Sequence, residues 1–341
     1  MKKTKAFWFL LLLVAAGCNG CGEKVTEGSI RMQTVCPLEE NLTLVGRPVS
    51  LDVASDGSFL VSDGTNVVGY DPSGHQTFAW NKKGRGPYEY FDCGSARAFA
   101  DTVYVWDMGS ARLIAYDRDG NGLWSYDYES AICDFQPAGS SVFFYNAGRK
   151  WESVVTELDV KTMTPFRSCG ASSFAHKAMQ SLATAVPLAF RDGALYFMSK
   201  DKMDLYRMTP GASEEASLVK QFTSDSFRCK ELEERLSAAN DLFAFIFQNS
   251  AVIAFSFDRT SYGILTAEGT AHLAGMQGRK LDIDQDERVY RLYRFDRKAR
   301  IVSVSVGERN FDASLVSVRD GVFYLLREDP ETGTYRLVTL E

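Results

Sequence analysis

The sequence predicts an all-β fold, a six-bladed β-propeller with a short helical insertion between its fourth and fifth blades. Three observations carry that expectation. One strand-turn-strand unit recurs along the chain, Asp-Gly turns stand at matching places within it, and a single segment of the mature chain has a helical pattern. A small twisted sheet cannot bury both its faces alone. A unit repeating every about 40 to 60 residues therefore reads as a blade that stacks on its neighbours around an axis.

The chain opens with Lys2, Lys3 and Lys5 ahead of an apolar run from Ala6 to Ala16. A basic head, a short apolar stretch and small residues make residues 1–17 a secretory signal peptide, too short to span a bilayer as a mature helix. Ala15, Ala16 and Gly17 are followed directly by Cys18. This resembles the lipobox of bacterial lipoproteins, although Leu is the common residue where Ala15 stands. The resemblance implies that Cys18 becomes the acylated first residue, the lipidation site and membrane anchor. Several acyl chains, at roughly 0.8 kcal/mol per buried methylene, hold a protein to a membrane surface without a spanning helix. Residues 18–28 are then a lipid-anchored stalk, and residues 29–341 a single propeller domain.

Within that domain, Ser29–Val35 is a strand ahead of the first full repeat, and Tyr335–Glu341 is a strand with nothing after it. The first is expected to complete the last blade, because ring closure removes an open sheet edge. Between them, second strands align as Ser58–Ser62, Val103–Trp106, Val142–Tyr145, Ala194–Met198, Ala251–Phe255 and Val322–Leu326. Asp56-Gly57, Asp192-Gly193 and Asp320-Gly321 precede three of them. That is tight-hairpin chemistry, in which Gly accepts positive φ without steric cost. Partner strands follow, such as Val67–Asp71 and Leu113–Asp117. Phe227–Phe247 reads as the helix, with Leu232, Leu236, Phe243 and Phe247 near helical spacing and charged residues between them. Arg288–Asp296 is an extra strand-like segment, and it leaves seven blades as the alternative count.

The first blade, Arg47–Asp63 with Val68–Gly74, looks like an NHL-type propeller repeat. Lys82–Phe91 is similar to the Gly-x-Gly-Pro-Gly-Glu-aromatic element of the TolB-like six-bladed propeller lipoproteins of Gram-negative bacteria, departing from it at Tyr88. The resemblance implies the fold, the anchoring and the blade number. It says little about activity, because a propeller by itself licenses no reaction.

The Gly84–Phe91 loop is the candidate binding element. Its glycines and proline shape the backbone, while Arg85, Tyr88, Glu89 and Tyr90 offer ionic, hydrogen-bonding and stacking groups suited to peptides or sugars. The bland alternative is a crossover between blades with Glu89 capping backbone amides.

No catalytic residue stands out. His75, His176 and His272 lack ligand-like spacing, no Gly-x-Ser-x-Gly elbow occurs, and no metal-ligand set is assigned. Asp282–Glu287 is acidic enough to suggest Ca²⁺ but lacks the glycine and spacing of an EF-hand loop. Losing residues 1–17 removes three lysines and no acids, taking the formal charge from −6 to −9. That argues against a nucleic-acid partner.

Six cysteines remain beyond Cys18. Cys93 and Cys133 are expected on adjacent innermost strands, too far apart for a bridge and hence free, whereas Cys169 and Cys229 fall where a bridge is easier to accommodate. The leading expectation is an extracytoplasmic lipoprotein on a bacterial membrane, the outer one by preference. Its propeller would bind or scaffold a protein, peptide or glycan. The competing class is a lactonase, hydrolase or lyase at the channel mouth, with Ca²⁺ as its cofactor.

Overall fold

Aromatic and β-branched residues separated by short polar turns give strands in every repeat, and the strands close into six sheets around one axis. The computed structural model describes residues 25–39, 47–147, 152–180, 187–269, 288–308, 311, 313 and 315–341. The signal peptide, Cys18, Cys21, His272 and the Asp282–Glu287 run lie outside the described residues. Among the described residues, no helix is long and apolar enough to cross a membrane.

The chain begins with β1 (Thr26–Ser29) and β2 (Met32–Pro37), which belong to the last two blades. Blade one is β3 (Ser50–Val53), β4 (Phe59–Ser62), β5 (Asn66–Tyr70) and β6 (Gln76–Asn81), from the axis outward. Blade two is β7 (Cys93–Phe99), β8 (Thr102–Asp107), β9 (Arg112–Tyr116) and β10 (Gly122–Asp127). Blade three is β11 (Ile132–Ala138), β12 (Ser141–Asn146), β13 (Ser153–Asp159) and β14 (Thr164–Ala171), followed by the short helix α1 (Phe174–Met179). Blade four is β15 (Leu188–Arg191), β16 (Ala194–Phe197), β17 (Asp204–Met208) and β18 (Ser217–Gln221), and α2 (Ala239–Gln248) follows it. Blade five is β19 (Ser250–Phe257), β20 (Ser261–Gly269), β21 (Arg288–Asp296) and β22 (Ile301–Val306), with β1 added in parallel outside β22. Blade six is β23 (Val316–Arg319), β24 (Val322–Glu328) and β25 (Tyr335–Leu340), closed by β2 antiparallel to β25.

The N-terminal strand thus completes the last blade as expected. Thr26–Ser29, ahead of the expected domain boundary at residue 29, pair with Ser303–Val306. Two further expectations are corrected. Ala251–Phe255 is the innermost strand of blade five, not its second, so Arg288–Asp296 becomes that blade's third strand and no seventh blade forms. The disguise comes from the turn. Blade five has no Asp-Gly hairpin, and the Asp258 carboxylate instead accepts the amides of Thr260 and Ser261. The helical insertion lies between blades four and five but occupies only Ala239–Gln248. In the segment before it, Asn249 Oδ1 and Ser250 Oγ accept the Lys230 and Arg228 amides, which ties that backbone down beside β19 instead of in a helix.

Each neighbouring pair of blades encloses its own apolar core, as with Leu51, Phe59 and Leu337 between blades six and one, or Trp80, Val105 and Tyr116 between blades one and two. All six interfaces are filled this way. A seventh cluster joins the helices, Ala175, Ala178 and Met179 of α1 against Phe245 and Ile246 of α2. The helices therefore cap the face that carries the blade-to-blade crossovers, whereas the hairpins between first and second strands form the opposite face.

Candidate functional site

Alternation along each inner strand turns one residue in two toward the axis, and there the sequence puts charge between apolar neighbours. Arg97 of β7 meets Asp52 of β3 through Nη1 at 3.1 Å and Asp134 of β11 through Nε at 3.1 Å, while its Nη2 contacts the second Asp134 oxygen. Both oxygens of Asp52 are engaged, the second accepting the Ala98 amide at 2.8 Å. Burial pushes the Asp52 carboxyl up against the pull of Arg97. Burial would lower Arg97 in turn, but Asp134 and Asp52 outweigh it and hold the guanidinium charged. Inner strands of different blades are too far apart to pair by backbone, so side chains stitch them. Ser317 Oγ accepts the Val53 amide at 3.1 Å and Ser50 Oγ the Ala96 amide at 3.2 Å.

Above this trio lies a second buried polar group, under α1. His176 is fully buried, and its Nδ1 accepts the Lys200 amide at 2.9 Å. Burial lowers its pKa to about 4, the effect of Asp201 being insufficient to restore it. Burial also lowers the pKa of Lys200, whose side chain is fully enclosed near Cys133 and Asp134. These groups are sealed in the wall and offer no surface to a substrate.

The Gly84–Phe91 loop is held by its own side chains. Glu89 Oε2 accepts the Gly86 amide at 2.8 Å, and Arg112 clamps the Glu89 carbonyl at 2.8 Å. Tyr90 is fully buried, and its hydroxyl donates to the Thr65 carbonyl at 2.9 Å. It is a strut joining the loop to blade one, not a group a ligand can touch. The ring of Tyr88 rests on Gly122, where a Cβ would come within 2.1 Å of it, and its carbonyl accepts the Tyr116 hydroxyl. Arg85 is exposed. The structure therefore brings Glu89 and Tyr90 into the crossover's own scaffold and leaves Arg85 and one side of Tyr88 outward.

The open concavity is on the other face. A cleft of about 720 Å³ runs from the channel mouth outward between blades one and two, lined among others by Phe78, Tyr70, Phe99, Thr102, Arg118 and Arg319. Phe78 lies flat because Gly69 beneath it has no side chain; a Cβ there would sit 2.3 Å from the ring. A second cleft, about 690 Å³, opens at the rim between blades three and four and is lined by Glu152, Tyr206 and Glu215 among others. Charge in an inner strand, one residue in every blade but the fifth, was the signal that could have marked Asp52, Arg97, Asp134 and Arg319 from sequence. Nothing in the order of residues announces the clefts, which arise where blades diverge.

Among the described residues, no group of three or more His, Cys, Asp or Glu converges on a point where a metal ion could bind. Cys36, Cys93, Cys133, Cys169 and Cys229 are all free, with Cys93 on β7 and Cys133 on β11 as expected. Cys169 sits in β14 against the blade-four core, so the bridge to Cys229 that the sequence allowed does not form.

No protein-family profile matches the chain, and no curated protein matches it. Solved structures do. A protein of Bacteroides fragilis NCTC 9343 named as a candidate exported protein superposes with TM-score 0.65 at 11% identity, covering 93% of this chain and 98% of that one. A DUF4221 family member from Bacteroides vulgatus ATCC 8482 superposes with TM-score 0.62 at 9% identity, covering 92% and 98%. At such identity the likeness is one of fold.

Proposed function

We propose that this chain is an exported, lipid-anchored propeller that works as a binding module for a protein, peptide or glycan, with its ligand seat in the cleft between blades one and two. One observation supports this above others. The axial carboxylates are matched by Arg97, whereas the roughly 720 Å³ cleft has aromatic walls, charged groups and open access, the composition of a recognition site. A channel-mouth hydrolase or Ca²⁺ enzyme would need those carboxylates open to substrate or metal.

Export and anchoring rest on the signal peptide and Cys18, on the TolB-like resemblance at Gly84–Phe91, and on the exported character given to one structural neighbour. From Cys18 to β1 there are few residues, at most about 29 Å of extended chain. Because β1 lies on the outer rim, such a tether would bring the rim near the membrane and leave both ring faces open to partners.

The test is capture from envelope membranes with the lipidated protein, beside a Thr77→Trp variant and a variant with Gly84–Phe91 replaced. Thr77 is exposed and lines the cleft, so the bulky ring blocks it without touching the core. A partner or glycan retained by the parent and by the loop variant but lost with Thr77→Trp is the expected result. Loss with the loop variant alone would move the seat to the crossover face. No capture even after cross-linking would reject a binding module.

A further inference from the structure

At the axial end of that cleft stands Arg319, the last residue of β23, and its Nε is buried without any hydrogen-bond partner. The positive charge of Arg319 pulls on the Asp52 carboxyl, yet both Asp52 oxygens are already engaged by Arg97 and the Ala98 amide. Arg319 also forms the wall shared between the cleft and a smaller cavity of about 50 Å³ at the channel mouth, lined among others by Gln136, Arg191, Ser256 and one acid, the exposed Asp320. Arg191 brings a second guanidinium, anchored on the Phe257 carbonyl and only loosely on Asp192, with Nε to carboxylate 3.5 Å. A space of this size holds the centres of roughly three to five waters. It suits a small planar anionic head and excludes a nucleotide. Further out, the Tyr70 hydroxyl is likewise buried without a partner, and its pKa is pushed up to about 12 by burial, so it remains a neutral donor. Two of the six residues that carry such orphaned atoms among the described residues thus line one cleft.

The geometry points to a carboxylate subsite: Arg319, supported by Arg191, Gln136 and Ser256 at the channel mouth, receives the carboxylate of a ligand whose apolar or aromatic body lies along Phe78 and Phe99. The inference rests on the cleft being the ligand seat. A guanidinium offers paired donors in the plane that a carboxylate accepts, and desolvation at the mouth strengthens each bond. The carboxylate could belong to a peptide or to a free small acid, and both sources present the same group.

The experiment is calorimetric titration of the full chain in detergent with two matched pairs, 3-phenylpropanoate and its amide, and N-acetyl-Ala-Phe with a free or an amidated C-terminus. The expected result is that at least one acid binds about tenfold or more tightly than its amide, that Arg319→Gln abolishes the preference, and that Arg319→Lys retains part of it. The pair that shows the preference identifies the source. Equal binding of acid and amide would overturn the carboxylate subsite while leaving the cleft in place as a seat for neutral ligands. A preference unchanged in Arg319→Gln, with an unaltered melting profile, would overturn it too. So would no binding of any probe, in which case the capture experiment judges the cleft separately.

Discussion

Arg97 shows how one side chain can hold several blades. It joins the inner strands of blades one, two and three at partial burial, and removing it leaves two buried carboxylates facing each other. Arg97→Leu should destabilise the fold by about 3–5 kcal/mol, read by denaturant unfolding, and adding Asp52→Asn and Asp134→Asn should recover part of that loss. Gly69 carries the shape of the cleft. Because a Cβ would meet the Phe78 ring at 2.3 Å, Gly69→Ala should cost about 1–3 kcal/mol and weaken ligand capture, whichever ligand is found. His176 makes stability depend on pH. In the folded chain it resists protonation down to about 4, against 6.5 for an ordinary histidine, so the unfolded state takes up a proton first as pH falls. Stability should therefore drop by up to about 1.4 kcal/mol per pH unit through that window, and His176→Gln should flatten the drop in melting curves collected at stepped pH. The raised Asp52 acts in the opposite direction, because above its ordinary value of 3.8 the folded state binds that proton first, and it offsets part of the drop.

At the scale of elements, the N-terminal strands close the ring. The strand β2 supplies the outer edge of blade six and packs Cys36 and the adjoining Leu38 into the core shared with blade one, whereas β1 only adds a parallel edge to blade five. Deleting residues 26–29 should lower the melting temperature slightly, and deleting residues 26–37 should lower it much more or prevent folding. Equal effects of the two deletions would show that the closure is not carried by β2. The pairing of β2 with β25 was legible from sequence, because a strand stands ahead of the first full repeat and ring closure removes an open sheet edge. The short extent of α2 was not. Leu232 and Leu236 have helical spacing, but they reach the helix-cap core from an irregular segment whose Arg228 and Lys230 amides are already taken by Ser250 and Asn249.

For the whole molecule, six blades each bury one face against the next, so stability is shared around the ring and no disulfide is needed among the described cysteines. Burial raises the Cys93 thiol to about 12 and the Cys133 thiol to about 11, and raises Cys36 and Cys169 as well. Native protein at pH 8 should react slowly with a thiol reagent, and denatured protein should release at least the five described thiols. Rapid native reaction of Cys93 or Cys133 would mean that the blades open.

By itself the sequence determined the class of fold, the repeat and the closing strand, because strand propensity and hairpin turns are local properties that neighbouring residues encode. It also showed that Gly84–Phe91 is a shaped loop. Only the tertiary structure decided that Tyr90 is a buried strut and that Ala251–Phe255 is an inner strand. It likewise decided that Asp52, Arg97, Asp134 and Arg319, drawn from four different blades, meet or nearly meet on one axis. Those contacts join residues separated by 37 positions and more, and their energy depends on burial and on which partner is already taken, neither of which is a property of any short stretch of chain.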